Sequence, residues 1–241
     1  MCDGCFFKGM IYLYFKKLLS YFSKFECFLW CFSVLLITVF FVLFDRNNYI
    51  SLLASLIGVT SLIFCAKGNP FGQVLMIIFS ILYGVISYTF SYFGEMITYL
   101  GMTAPMAVFS LISWLKNPYK GKKSQVEVNR ISKLEFCFSL ILTIIVTIIF
   151  YFILKFFGTA NLLPSTISVT TSFLAAYLTF RRSPYFALVY ALNDIVLIVL
   201  WIMAALTDLS YLSVIVCFIV FFINDMYGFF SWKMMQKRQL K

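Results

Sequence analysis

Apolar runs long enough to cross a bilayer recur from one end of this chain to the other. Spanning a hydrocarbon core of about 30 Å takes roughly 20 residues at 1.5 Å of rise each. Lipid supplies no hydrogen-bond partners, so only helices and closed barrels span it. Barrel strands read as short alternating segments, and the sequence contains no such pattern. The chain therefore reads as an all-α polytopic membrane protein. Its 12% charged residues agree, since soluble domains carry about 25%.

Eight spans are predicted, at about 27–44, 49–66, 70–90, 95–115, 134–157, 162–180, 184–206 and 211–232. Basic residues mark the cytoplasmic side of such proteins. With eight spans, one side receives 17 of the 19 lysines and arginines, and the other only Arg46 and Lys155. One helix more or fewer would scramble that partition, so both termini are predicted to be cytoplasmic. The net charge of +10 is spread over five separate segments, which argues against a nucleic-acid partner. Residues 1–25 pattern as a basic amphipathic segment suited to an anionic leaflet, with Phe7, Met10, Ile11, Tyr14 and Phe15 on one face and Lys8, Lys16, Lys17 and Lys24 on the other.

An internal repeat organises the spans. Shifting the chain by 114 residues lays Pro70 on Pro184, each following a basic turn, and shifting it by 118 lays Ser113-Trp114 on Ser231-Trp232. Proline suits the first turn of a helix, where its missing N–H has no partner. The expected organisation is an N-terminal segment (1–25), an extra transmembrane helix (26–48), a first three-helix repeat (49–116), a cytoplasmic loop and linker helix (117–161), a second three-helix repeat (162–233) and a cytoplasmic tail (234–241). An odd linker makes the two repeats parallel, a 3+1+3 arrangement that transporters use to hold substrate between repeats.

The polar residues at mid-depth break that symmetry. Asn193-Asp194 and Asn224-Asp225 each interrupt an apolar run about eight or nine residues from its basic end. An amide or carboxyl in hydrocarbon costs several kcal/mol unless it meets a partner or a cavity. Phe186, Tyr190, Asn193 and Trp201 fall on one helical face, and Asn224, Tyr227, Gly228 and Ser231 on another. Rings that stack and amides that read an edge suit a flat polar ligand; bridging between helices is the competing use of both asparagines. Gln73, Ser80 and Ser87, with Tyr83 nearby, form a polar stripe on the third helix, either lining the same cavity or making a packing seam. Asp194 and Asp225 are candidates to counter a cationic ligand. Glu95 is expected as a solvated helix start, and Thr103 with Pro105 as a weak point in the fourth helix.

The chain has no histidine, no paired-carboxylate motif and no phosphate-binding glycine loop, so an enzyme is not expected. Cys2 and Cys5 have metal-like spacing but no second ligand pair. The seven cysteines read as buried free thiols. No cofactor or metal is expected.

The segments NDIVLIVLW (193–201), FFINDMYGFFSW (221–232) and YLGMTAPMAVFSLISW (99–114) resemble the PnuC family of vitamin transporters. The resemblance covers roughly residues 50–233. It implies three-helix bundles like those of SWEET transporters, a homotrimer in the bacterial plasma membrane, and uptake of nicotinamide riboside, an NAD precursor, by facilitated diffusion with alternating access. Other members take thiamine, riboflavin or deoxynucleosides. The family's aromatic-x3-aromatic-x2-Asn pattern falls on Phe186, Tyr190 and Asn193, where tryptophans are usual at the aromatic positions; Ala107 stands where a glutamine is common. The polar and aromatic faces together with the resemblance give an expected substrate-binding set of Asn193, Asn224, Tyr190, Tyr227, Trp201, Phe186, Gln73, Tyr83, Asp194 and Asp225. The rival is proton-coupled transport of another vitamin such as thiamine or riboflavin, with Asp194 or Asp225 carrying the proton; a structural membrane subunit is a third reading.

Overall fold

The structure, a computed structural model, describes residues 21–89, 92–159, 161–206 and 208–241. Among them are eight helices long and apolar enough to span a membrane: α1 (Lys24–Phe44), α2 (Tyr49–Ala66), α3 (Phe71–Thr89), α4 (Phe93–Lys116), α5 (Lys133–Phe156), α6 (Leu162–Phe180), α7 (Phe186–Ala205) and α8 (Leu212–Gln239). Every predicted span has its helix. The amphipathic segment expected over 1–25 lies, for residues 1–20, outside the described residues. Lys24 and Phe25 belong to α1, which a capping box starts: Glu26 N donates to Ser23 Oγ (3.2 Å), and Ser23 N donates to Glu26 Oε2 (2.6 Å). The last helix runs on to Gln239, past the expected end at 232. The added residues, KMMQKRQ, are strong helix formers, and Lys237 and Arg238 suit the negative end of the helix dipole.

The loop expected between the halves is ordered. It forms a hairpin of β1 (Pro118–Tyr119) and β2 (Lys122–Val126). Its far end is stitched to three other segments. Val126 N donates to Gly68 O (2.9 Å), Asn129 N donates to Arg182 O (3.0 Å), and Gln239 Nε2 donates to Val126 O (3.0 Å). Val126 itself is fully buried. The loop thus ties together the turns after α2 and α6 and the end of α8.

Those two turns match in detail. Each helix ends on a residue with left-handed φ, Gly68 at 68° and Arg182 at 57°. Each end is clasped by a Ser-Trp pair from the opposite half. Ser113 Oγ and Trp114 Nε1, on α4, donate to Phe180 O (2.8 Å) and Thr179 O (2.9 Å) of α6. Ser231 Oγ and Trp232 Nε1, on α8, donate to Ala66 O (2.8 Å) and Cys65 O (2.7 Å) of α2. The last carbonyls of a helix lack their usual partners; in each clasp the serine caps the last one, Ala66 O or Phe180 O, and the tryptophan adds a second donor to the one before it, which also accepts from the N–H of Gly68 or Arg182. Both tryptophans are fully buried, and their rings touch at 5.3 Å.

Two helices flank the other six. α1 lies across α2 and α8, held by polar contacts at four levels: Glu26 with Lys67 and Tyr227, Trp30 with Thr60, Ser33 with Asn224, and Asp45 with Ser213. α5 packs on α6, where Thr147 and Thr170 hydroxyls meet at 2.9 Å. It buries only Ser139, Thr143 and Leu154, and its outer face of Phe138, Ile141, Ile145, Ile148 and Phe152 is exposed, as suits lipid. Cys31 and Cys137 lie on such outer faces, so not all the thiols are buried as expected; Cys65 and Cys217 are.

Candidate functional site

At mid-depth the six central helices converge on one small cavity. Its lining comes from α2 (Leu62), α3 (Met76, Phe79), α4 (Tyr99, Thr103), α6 (Ser172), α7 (Tyr190, Asn193, Asp194) and α8 (Phe218, Phe221, Asp225). Neither α1 nor α5 contributes. The free space is about 30 Å³, enough for one or two waters and far below the roughly 300–1,000 Å³ of ligand pockets. The cavity in this structure is therefore too small for a ligand of that size.

A local irregularity in α4 shapes one wall. Pro105 has no N–H, and its ring crowds the carbonyl one turn earlier. The helix answers with a π-helical turn over Tyr99–Thr103, in which Ala104 N bonds to Tyr99 O. The widened turn carries both Tyr99 and Thr103 to the cavity. Such π-bulges recur at functional sites. The weak point expected at Thr103 and Pro105 is present and has this form.

Asn193 performs both uses that its position suggests. Its side-chain oxygen accepts from Thr171 Oγ1 (2.8 Å) and Ser172 Oγ (3.0 Å), fastening α7 to α6. Its Nδ2 makes no hydrogen bond with a described residue, and the residue lines the cavity. The oxygen is thus the anchor and the amide N–H₂ the available donor. Beside it, Asp194 of α7 and Asp225 of α8 line the same cavity. Both are buried, and Asp194 Oδ2 has no hydrogen-bond partner among the described residues. Among the described residues no lysine or arginine lines the cavity, and none forms an ion pair with either aspartate.

Aromatic layers close the cavity on both sides. Toward the far end, Tyr83 and Tyr99 pack at 4.4 Å, Trp201 Nε1 donates to Tyr83 OH (2.8 Å), and Phe218 meets Tyr83 edge-on. Toward the basic end, Phe186 packs edge-on against Trp232 (4.9 Å) and Tyr190 (6.3 Å), next to Trp114. Offset and edge-to-face pairs of this kind add about 0.5–1.5 kcal/mol each beyond burial.

Of the ten residues singled out in the sequence, four line the cavity: Tyr190, Asn193, Asp194 and Asp225. Tyr83, Trp201 and Phe186 sit in the closing layers. Asn224 is turned away: its Nδ2 donates to Ser33 Oγ of α1 (3.0 Å) and to Val220 O (2.8 Å). Tyr227 OH donates to Glu26 Oε1 (2.9 Å) at the basic end. Gln73 is buried against Cys65 Sγ (3.3 Å). The stripe on α3 is a packing seam, with Ser80 bonded back to Met76 O (2.8 Å). Gly228 lies close to Ala187, as close packing requires.

Glu95 corrects an expectation. It is not a solvated helix start: it is 1% exposed, and neither carboxyl oxygen has a hydrogen-bond partner among the described residues. The turn before α4 packs under the α5–α6 connection, where Gly94 approaches Thr159 and Leu154, and this covers the carboxyl. Cavity residues that the sequence reading missed include Phe79, Ser172, Phe218 and Phe221. One signal for Ser172 existed: α6 has the lowest mean hydropathy of the eight spans, 1.2, because of its serine and threonine run. The phenylalanines carried none among 30 such residues. Among the described residues no group of three acidic, cysteine or histidine side chains forms a metal site.

Comparison with known proteins gives consistent matches. Residues 48–234 match the family described as nicotinamide mononucleotide transporter. The nicotinamide riboside transporter PnuC of Neisseria mucosa is 22% identical over 227 residues, covering 92% of this chain and 86% of that protein. A crystal structure of the vitamin B3 transporter PnuC superposes with a TM-score of 0.80 at 21% identity, covering 90% of this chain and 94% of that one. At that identity the match speaks for the fold.

Proposed function

The chain belongs to the nicotinamide mononucleotide transporter family, and from that premise we propose that it carries nicotinamide riboside across the bacterial plasma membrane by facilitated diffusion. The observation that carries the choice of substrate is the charge of the cavity. Two aspartates line it, and among the described residues no cation does. A phosphate would meet carboxyl groups without a single lysine or arginine to offset them. The riboside has a cationic ring, an amide and a sugar. Asn193 Nδ2 suits its amide or hydroxyl oxygens, Tyr99, Tyr190 and Phe79 suit its ring faces, and Asp194 with Asp225 suits its charge. The same argument separates the riboside named for the relative from the mononucleotide named for the family. Neither thiamine nor riboflavin is named for any of the matched proteins.

Transport follows from alternately loosening the aromatic layers. With both layers packed, the cavity is closed; parting Tyr83, Tyr99 and Trp201 opens it to one side, and parting Phe186, Trp114 and Trp232 opens it to the other. The moving bodies are the three-helix units α2–α4 and α6–α8. The reciprocal Ser-Trp clasps support reading these as parallel repeats joined by α5, as in SWEET-like bundles. The basic end is assigned to the cytoplasm by the partition of lysine and arginine, which places both termini there. A homotrimer would cover part of the exposed outer faces of the flanking helices.

Isothermal titration of the purified protein with nicotinamide riboside, nicotinamide mononucleotide, thiamine and riboflavin tests the reading. Saturable binding of the riboside, with the mononucleotide at least about tenfold weaker (~1.4 kcal/mol), is expected. Tighter binding of the mononucleotide would overturn the charge argument, and binding of thiamine or riboflavin instead would replace the substrate.

A further inference from the structure

We propose that a second cavity, at the basic end of the molecule, binds a phosphate group of the kind an anionic lipid headgroup carries. The cavity measures about 620 Å³ and lies between the start of α1, the turn after α2, strand β2 and the last turns of α8. Ligand pockets span roughly 300–1,000 Å³, so this one has room for a headgroup. The inference does not depend on what the central cavity carries.

Its electrostatics are the reverse of the central cavity's. Lys67, Lys237 and Arg238 line it, and Glu26 is the one carboxylate among its described lining residues. Glu26 is already committed. Lys67 Nζ donates to both of its oxygens (3.2 and 3.0 Å), Tyr227 OH donates to Oε1 (2.9 Å) and Ser23 N donates to Oε2 (2.6 Å). Lys67 thus cancels its charge, and little of it is left to repel an anion. Lys237 and Arg238 are exposed, and among the described residues neither forms an ion pair. Two positive charges therefore face the cavity without a counter-charge. Lysine binds phosphate as a point charge and arginine as a two-pronged fork. Gln125 and Ser23 add neutral hydrogen-bonding groups to the wall.

The surroundings favour a lipid as the source. The partition of lysine and arginine assigns this end to the cytoplasm. Basic pockets between helices on that side take anionic headgroups. Phe25, exposed on α1, packs on the cavity residue Tyr227 at 5.3 Å, and Met234 of the lining is itself exposed. Apolar surface for an acyl chain thus adjoins the cations. A neighbouring cavity at the same end lacks this combination: its Lys233 donates to Tyr185 OH (2.9 Å) and lies 4.0 Å over that ring. A phosphate in the first cavity joins α1 and the hairpin to the end of α8, and so braces the basic end.

Melting of the full chain in lipid nanodiscs tests this, with phosphatidylglycerol or phosphatidylcholine as the lipid and with inorganic phosphate or chloride at equal ionic strength. Phosphatidylglycerol should raise Tm by roughly 3–6 °C over phosphatidylcholine, the shift for a site filled at about ten times its Kd. The rise should be lost in the double variant Lys237→Gln, Arg238→Gln. It should be kept in Lys122→Gln, Lys123→Gln, which removes two exposed hairpin lysines that do not line the cavity. A rise with inorganic phosphate in phosphatidylcholine, lost in the first variant, keeps the phosphate site and moves its source to the cytosol. Equal effects in the two variants make the stabilisation a property of the whole basic surface and overturn the site. No rise in the wild type with either probe overturns it without recourse to a variant. None of these outcomes bears on riboside binding in the central cavity.

Discussion

The two three-helix units agree at their ends and disagree in their middles. At the basic end, each residue of one clasp has a counterpart in the other: Cys65 with Thr179, Ala66 with Phe180, Gly68 with Arg182, Ser113 with Ser231 and Trp114 with Trp232. The same offsets of 114 and 118 pair Phe79 with Asn193, Ser80 with Asp194, Met106 with Asn224 and Ala107 with Asp225. The ends hold backbone carbonyls, which do not vary with sequence, so the same two side chains serve twice. A cavity built this way suits an asymmetric molecule. Both units give it rings, Phe79 and Tyr99 from one and Tyr190, Phe218 and Phe221 from the other, but the amide and both carboxyls come from the second.

The largest expected effects test the agreement. Trp114→Ala and Trp232→Ala each delete a fully buried ring and one of the two donors to a helix-end carbonyl, so each should cost about 3–5 kcal/mol. If the ends are equivalent, the two costs differ by less than about 1 kcal/mol. Thermal unfolding in detergent measures both, and a loss confined to one tryptophan would break the comparison.

The next test concerns the disagreement. Asn193→Ala should weaken riboside binding by tenfold or more, about 1.4 kcal/mol, because it removes the one amide donor on the cavity. Asn224→Ala removes the bond to Ser33; it should leave the riboside affinity within about threefold and lower stability by about 0.6–1.7 kcal/mol, the span measured for interhelical hydrogen bonds in membranes. Calorimetry and melting on the same two samples separate the roles. Equal losses of affinity would return Asn224 to the site.

Smaller effects distinguish the two turns. Gly68→Ala puts a Cβ at a positive φ, 3.2 Å from Met235 Cε and from Val126 Cγ1, and should destabilise by about 1–2 kcal/mol. Arg182→Gly relieves the same conformation and should stabilise by up to about 1 kcal/mol. Opposite signs in chemical unfolding support equivalent turns; equal signs would not. Smallest of all is Ser80→Ala. Its hydroxyl only bonds back to its own helix, so stability and affinity should stay within about 0.5 kcal/mol, whereas its counterpart Asp194 is a cavity residue.

What the sequence revealed follows from how each kind of contact is written in it. Helix number and order came from long apolar runs and the distribution of lysine and arginine, which are local signals. The repeat was legible because Pro, Ser and Trp stand out against an apolar background. The site was half legible. Asn193, Asp194 and Asp225 stood out as polar groups in hydrocarbon, but Asn224 looked identical to Asn193, and its amide N–H₂ is taken by Ser33 on a helix 191 residues away in sequence. Nothing local distinguishes an amide that anchors a neighbour from one that faces a cavity. The fate of Glu95 was hidden for the same reason: a carboxyl near a helix start reads as solvated until the packing above it is known.

The crossed clasps also fix an order of completion during synthesis. The α2 carbonyls are among the first helix ends to emerge, yet Ser231 and Trp232, which cap them, are made 165 and 167 residues later. The α6 end waits for nothing, because Ser113 and Trp114 precede it by 67 and 65 residues. A ribosome delivering this chain into the membrane thus leaves one seam open until the last helix arrives. Release before Ser231 yields a protein whose earliest unit lacks the cap on its Ala66 carbonyl.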